Sequence, residues 1–276
     1  MLFFVILNLN DGGAYMAIDT HTHVNSLMVS DVSKSIELIN KDDTLSNVIN
    51  VGVDIETSRE SVNIANNNSK FYSTVGIHPL YVGDKYDDYR ELDSLYHMIT
   101  GKVVAIGEIG LDIDWGNYSE KNILNQKIYL IEQINLANSL GLPVVIHSSN
   151  ANKQVIEVFE KYVKPQYGCV FHCFQPDLED LEYIVSNGFY ISFAGKITYK
   201  TAKKSIDVLK AVPDDLFLVE TDSPYICPEP FKRDDINCSS NLHFIIDRIA
   251  DLKEVSSDSI EKLTEDNAKK LFKRMK

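Results

Sequence analysis

Ala17-Ile-Asp-Thr-His-Thr-His23 is a short hydrophobic run that ends in two histidines one residue apart. Five further runs end on residues of the metal-ligating type. They are STVGIHP (Ser73 to Pro79), VVAIGEIGLD (Val103 to Asp112), PVVIHSS (Pro143 to Ser149), GCVFHCF (Gly168 to Phe174) and LFLVETDSP (Leu216 to Pro224). Five of the seven histidines fall at these ends, together with Glu108 and Asp222. In an α/β barrel the carboxyl ends of the parallel strands converge on one site. Ligand-type residues at six such ends therefore predict that fold and a metal centre at its mouth.

Working outward, eight strands are predicted to begin near Ala17, Val48, Phe71, Val103, Pro143, Gly168, Phe189 and Leu216. Each is a short apolar or β-branched run. Helical stretches lie between them: 31–41, 58–68, 88–99, 120–140, 152–162, 178–186 and 202–209. The segment 120–140 places Ile123, Leu124, Ile128, Ile131, Ile134 and Leu136 at roughly helical spacing. Gly141-Leu142-Pro143 and Asn187-Gly188 are helix stops before the next strand. Residues 241–275 read as two or three helices that close the structure. Strand and helix alternate eight times, which gives a (β/α)8 TIM barrel over residues 16–276 as one domain.

Composition is that of a soluble globular protein, with 44% hydrophobic and 24% charged residues among 276. Cys169, Cys173, Cys227 and Cys238 lack C-x-x-C spacing and read as reduced thiols of a cytoplasmic protein. The net charge of −13 argues against a broad nucleic-acid surface, because backbone neutralisation demands basic residues. It does not argue against a nuclease pocket, since two divalent cations invert the field locally.

MLFFVILNLN is too short to span a bilayer and lacks the basic region of a signal peptide. Asp11-Gly12-Gly13 can be encoded by a purine run of the kind that positions ribosomes, a few bases before Met16. The expectation is that translation starts at Met16 and that residues 1–15 are a non-native or disordered extension. No long apolar heptads stand out, so a monomer with no membrane contact is expected.

His21 and His23 share a face of a strand, with Asp19 on the same parity. Two imidazoles there make half of a divalent metal site. Glu108 follows an apolar run, and a buried carboxylate is costly unless paired or metal-bound; its two oxygens can bridge two cations. His147 and His172 supply a second N/N/O set with it. Asp222, in the eighth strand, lies beside the first, where it can bind metal and accept a proton from water. Glu220, one layer deeper, is expected to orient a ligand histidine. His78, with Pro79 fixing its exit, reads as a donor facing substrate. His97 and His243 lie in helical segments and read as surface residues. Lys196, Lys232 and Arg233 are available as rim contacts to phosphate.

As a set, DTHTH (Asp19–His23), VGIHP (Val75–Pro79), AIGEIGLD (Ala105–Asp112), LPVVIH (Leu142–His147), FHCF (Phe171–Phe174), GFYISFAG (Gly188–Gly195), ETDSPY (Glu220–Tyr225) and NAKKLF (Asn267–Phe272) resemble the TatD family of metal-dependent nucleases. The resemblance runs in order from Asp19 to the end of the chain. It implies a TIM barrel in which His21, His23 and Asp222 hold one metal, Glu108 bridges, and His147 and His172 hold the other. It implies hydrolysis of DNA, commonly from the 3′ end of single strands, with Mg2+ or Mn2+ and sometimes Zn2+. Two departures bear on substrate grip. Relatives often read H-S-R-D-A where this chain has His147-Ser148-Ser149-Asn150-Ala151, so an Arg that could clamp phosphate is missing. The family's R-N-E-P segment is replaced by Arg233-Asp234-Asp235-Ile236-Asn237-Cys238-Ser239.

The ligand set implies a two-metal phosphodiesterase with Asp222 as general base, Glu108 as bridge and His78 as an added donor to the developing charge. A metal-dependent esterase, such as a D-aminoacyl-tRNA deacylase, is the alternative. A phosphotriesterase-like enzyme is disfavoured, because those barrels bridge their metals with a carboxylated Lys where Glu108 stands. A non-catalytic barrel would be expected to lose a ligand, and all six are present.

Overall fold

The computed structural model describes residues 16–83, 89–114 and 119–276. The reading of residues 1–15 as an extension, and the predicted helix start at residue 88, lie outside the described residues. Eight parallel strands follow one another in a single sheet: β1 (Ala17–Thr22), β2 (Leu45–Val51), β3 (Phe71–Val75), β4 (Val103–Asp112), β5 (Val144–Ser149), β6 (Cys169–Phe171), β7 (Tyr190–Phe193) and β8 (Phe217–Val219). The sheet closes through the chain beyond β8. Asp222 N donates to His21 O at 2.9 Å and His23 N to Ser223 O at 2.7 Å. The expected (β/α)8 barrel is the fold.

The helices are α1 (Val32–Lys41), α2 (Ile55–Asn67), α3 (Tyr89–His97), α4 (Glu120–Leu140), α5 (Asn152–Lys161), α6 (Leu178–Ser186), α7 (Lys203–Ala211), α8 (Leu242–Lys253) and α9 (Ser257–Leu271). Side-chain caps start α1, α2, α4, α6 and α9. Asp31 Oδ1 accepts from Lys34 N at 2.9 Å. Asp54 and Thr57 form a reciprocal capping box that starts α2 three residues before the predicted Ser58. Among the described residues no helix is long and apolar enough to cross a membrane.

Alternation along the strands sorts side chains into two layers. Ile146, Phe171, Ile191 and Phe217 belong to the large cluster that packs strands against helices. Ile18, Ile49, Val104, Val145, Val170 and Leu218 form a second cluster with Leu271, Phe272 and Met275. The chain's last residues thus plug the barrel. Asn267 Nδ2 donates to Phe217 O at 3.0 Å, and Arg274 Nη1 to Val103 O at 3.1 Å, which pins the plug to the starts of β8 and β4. The opposite end stays free for the site.

Helix α4 departs from its predicted apolar face. Its buried residues are Asn122, Asn125, Gln126, Tyr129, Leu130, Gln133, Ile134 and Ala137, whereas Leu124 is 57% exposed. The buried amides satisfy strand-end backbone. Gln133 accepts from Ile77 N at 2.7 Å and donates to Ile77 O at 3.1 Å. Gln126 accepts from Asp112 N at 3.0 Å, and Asn122 donates to Val82 O at 2.7 Å. Orphaned buried backbone groups would cost more than burying these amides, so hydrophobic periodicity loses to hydrogen bonding here.

Strand β4 runs close to its neighbours because of its glycines. A Cβ at Gly110, where φ is +153°, would stand 1.8 Å from His147 O. Gly110→Ala is expected to destabilise the fold by on the order of 3 kcal/mol, from overpacking and backbone strain together. Urea denaturation would check this; an unchanged midpoint would mean that β4 and β5 can separate freely.

Candidate metal centre

Side chains from six strand ends meet at the open mouth of the barrel. His147 and His172 stand two residues beyond the interior Val145 and Val170, and Glu220 and Asp222 two and four beyond Leu218. Strand periodicity carries His147 inward and, continued past the ends of β6 and β8, His172 and Glu220; Asp222 lies three residues beyond β8. β1 gets there differently. Its register shifts between Asp19 and Thr22, and this bulge separates Asp19 from the two histidines. Asp19 thus does not join the side-chain cluster, contrary to same-parity counting, although its Oδ1 accepts from His21 N at 3.3 Å. Its carboxylate accepts from Thr221 N at 2.9 Å and Thr221 Oγ1 at 2.6 Å, and burial pushes its pKa to about 7. It braces the closure of β1 on β8.

Glu108 is 3% exposed, and its two oxygens face different histidines. Oε1 lies 2.6 Å from His172 Nε2 and 2.9 Å from His147 Nδ1. Oε2 lies 3.4 Å from His21 Nε2 and 3.6 Å from His23 Nε2. Asp222 Oδ1 stands 3.7 Å from His21 Nε2 and 3.5 Å from His23 Nε2. Asp222 reaches that position with φ at +53°, a left-handed conformation that costs energy in an L-residue and recurs at functional sites.

Other groups engage the far nitrogens of several rings, which settles where their lone pairs point. His23 Nδ1 is 3.2 Å from Val51 O, so it carries the proton and leaves Nε2 free for the cluster. His147 is turned the other way. Its Nε2 is 3.0 Å from Asp112 Oδ2, leaving Nδ1 free. His172 Nδ1 faces Glu220 Oε1 at 3.6 Å, and Glu220 also accepts from Cys173 N at 2.6 Å. Glu220 thus sits where it was expected, behind a cluster histidine. Asp112 was not singled out from sequence. The available signal was its position four residues beyond Glu108 on the same strand.

His78 differs from the other rings. Its Nδ1 accepts a hydrogen bond from Leu80 N at 3.1 Å. Neutral His78 therefore carries its proton on Nε2, which points toward Glu108 Oε1 at 3.5 Å. Burial, partly opposed by the Glu108 charge, lowers its pKa to about 4 and keeps it neutral. Such a ring is a hydrogen-bond donor toward the mouth of the barrel and a poor metal ligand.

Three groups place one ligand atom from each member within 4.8 Å of one another: His21, His23 and Glu108; His21, His172 and Asp222; and His78, Glu108 and His147. Imidazole nitrogens and carboxylate oxygens of this kind suit a divalent cation. The tautomer of His78 argues against it as a ligand in the third group. The electrostatics agree with a cation site. Burial alone would lift the Glu108 carboxyl, but the surrounding histidines, His172 foremost, outweigh it and hold the group well below the usual carboxylate range. Burial would likewise lower His172, yet Glu108 and Glu220 hold it well above the ordinary histidine value.

Outside the cluster, His97 is exposed as expected, while His243 is half-buried with Nδ1 2.8 Å from Ser240 O. Of the rim cations, Arg233 lies over the Tyr199 ring at 4.3 Å and donates to Thr201 Oγ1 at 3.1 Å. Lys196 lies in the field of Cys173 and Asp222, which raise its ammonium pKa. Asn237 donates to Thr221 O at 2.9 Å and Tyr225 O at 2.8 Å, so it supports the loop that carries Asp222. All four cysteines are free.

Residues 18–273 match the family described as TatD related DNase. The metal-dependent hydrolase YabD of Bacillus subtilis is 34% identical over 263 residues, covering 94% of this chain and 99% of its own. The deoxyribonuclease Tat-D of Schizosaccharomyces pombe is 35% identical over 185 residues, or 63% of this chain and 58% of its own. Among solved structures, the TatD homologue YJJV of Escherichia coli superposes with a TM-score of 0.82 at 27% identity, covering 94% of this chain and 98% of that one.

The pairing of Asp112 with His147 has a measurable consequence. Asp112→Asn is expected to weaken divalent-metal binding by about 10–100-fold while the chain stays folded. Calorimetric titration with Mn2+ measures it; unchanged affinity would show that His147 needs no partner to present Nδ1.

Proposed function

The chain belongs to the TatD family of metal-dependent hydrolases, and from that premise we propose that it hydrolyses phosphodiester bonds as a 3′-5′ exonuclease on single-stranded DNA. The observation that carries the reading is the division of Glu108, one oxygen toward His147 and His172 and the other toward His21 and His23. A carboxylate so divided suits two cations. His21, His23, Asp222 and Glu108 would hold one; Glu108, His147 and His172 would hold the other. Mg2+ or Mn2+ suits the carboxylate oxygens of both sets, and Zn2+ is compatible with the nitrogens. Divalent cations held there would supply Lewis-acid neutralisation of the phosphodiester and lower the pKa of water.

The chain's own residues supply the rest. Asp222 is positioned to take the proton of the attacking water. His78 offers its Nε2–H to an oxygen on which charge develops. Asp112 and Val51 O hold two of the ligand rings in their working tautomers, and Glu220 faces a third. The ligands are deeply buried, so a free strand end reaches them more readily than the middle of a duplex. A net charge of −13 likewise disfavours a broad duplex footprint. The Schizosaccharomyces pombe relative is named a deoxyribonuclease, which supports DNA as substrate; the 3′ polarity rests on the family resemblance. The second reading is a metal-dependent esterase such as a D-aminoacyl-tRNA deacylase, in which an ester carbonyl takes the place of phosphorus over the same cluster.

A 5′-labelled single-stranded oligonucleotide with Mg2+ or Mn2+ tests the assignment. The expected outcome is a ladder shrinking from the 3′ end that EDTA abolishes. Asp222→Asn should lower kcat by about 10²–10⁴-fold. An intact oligonucleotide in the presence of bound metal would overturn the nuclease reading and turn attention to the tRNA ester. His78→Ala separates donor from ligand: kcat should fall by about 10²-fold with metal content unchanged. Loss of metal would make His78 a ligand.

A further inference from the structure

Two aromatic rings at the mouth of the barrel take no part in the chemistry derived above. Tyr81 ends the 3-10 turn Pro79–Tyr81 that begins directly after His78. Its ring is T-shaped to His78 with centroids 6.5 Å apart, and it is 56% exposed. Tyr225 lies three residues beyond Asp222. Its ring is T-shaped to His23 with centroids 5.8 Å apart, and it is 41% exposed. Each tyrosine is therefore one ring away from a histidine that faces Glu108, His78 on Oε1 and His23 on Oε2.

Both rings are held in place from the backbone. Tyr81 N donates to His78 O at 2.9 Å, and Tyr225 N donates to Asp222 O at 2.9 Å. Asn237 Nδ2 donates to Tyr225 O at 2.8 Å, and the Tyr225 hydroxyl is 3.1 Å from Ser26 Oγ in the loop after β1. Both rings stand beside the cluster, each against one of its histidines, and both are only half covered.

The rest of the surface sets the demand these rings can meet. The chain carries −13 net charge, the segment after His147 (Ser148-Ser149-Asn150-Ala151) holds no Arg, and Arg233 is already stacked on Tyr199. Beyond the cations that the cluster would hold and Lys196, ionic contacts to a strand are few here, which leaves a role for uncharged contacts. Unpaired bases offer such a contact, because every base has a π face and stacking on an aromatic ring tolerates any sequence. Paired bases inside a duplex do not expose that face.

We propose that Tyr81 and Tyr225 form a stacking platform for an unpaired nucleobase adjoining the scissile phosphodiester. The platform makes a base-bearing single strand the preferred substrate. The proposal rests on the phosphodiesterase reading, and the experiment separates the two.

Steady-state hydrolysis is measured on two single-stranded oligonucleotides, one with normal 3′-terminal nucleotides and one with abasic tetrahydrofuran residues in their place. The metal-loaded protein is expected to show a KM about tenfold higher on the abasic strand. Tyr81→Ala and Tyr225→Ala should each raise KM on the normal strand by about tenfold, with a smaller change in kcat and with metal content retained. On the abasic strand that penalty should vanish. Tyr81→Phe and Tyr225→Phe should keep the original KM, because the ring and not the hydroxyl does the stacking. Equal KM values on the two strands, or an alanine penalty of the same size on both, would overturn the platform while leaving the phosphodiesterase reading intact. No cleavage of either strand with metal bound would overturn both.

Discussion

A single buried carboxylate governs this structure. Glu108 is 3% exposed, and at that depth an unpaired negative charge would cost several kcal/mol. Its oxygens face four imidazole nitrogens drawn from β1, β5 and the end of β6, with a fifth ring, His78, beside them. To let the carboxylate reach that point, β4 must pass close to its neighbours. Gly107 and Gly110 flank it for that reason, since a Cβ on either would collide with β5. The same crowding of nitrogens and oxygens that makes Glu108 affordable makes the place attractive to a divalent cation.

Rigidity around that carboxylate comes from polar groups in unusual numbers. Val51 O, Asp112 and Glu220 each stand behind one histidine, and α4 reaches in with amides to fix the strand ends that carry His78 and Asp112. A metal centre loses affinity when its ligands wander, because ordering them then opposes binding. The plug formed by Leu271, Phe272 and Met275 serves the same end from the opposite side. It fills the barrel below the ligands, so the cluster rests on a packed floor.

Much of this was legible in the sequence because strands have a period of two. Once Val145 and Val170 are interior, His147 and His172 must be too, and Leu218 carries Glu220 with it, whereas Asp222 needs a left-handed backbone beyond β8. Where the period breaks, reading by parity fails. The register shift in β1 turns the Asp19 carboxylate to Thr221 and the backbone of His21, where it has a bracing role. On α4 hydrophobic spacing pointed to Leu124, which is exposed, because the helix face that meets the barrel is chosen by backbone hydrogen bonds that sequence does not display. Asp112 escaped notice for a related reason: a carboxylate at a strand end is ordinary until a histidine is found 3.0 Å away.

By itself the sequence determined the barrel, the strand ends at which the chemistry sits and the identity of the clustering residues. Alternation and run length are local properties and survive translation into three dimensions. Only the tertiary structure decided how the two oxygens of Glu108 divide between histidine pairs, which nitrogen of each ring faces the centre, and which aromatic rings stand at its rim. Those outcomes depend on angstrom-scale distances between residues as far apart in the chain as Glu108 and Asp222 or Ser26 and Tyr225. The closure of the barrel sets such distances, and no local pattern records them.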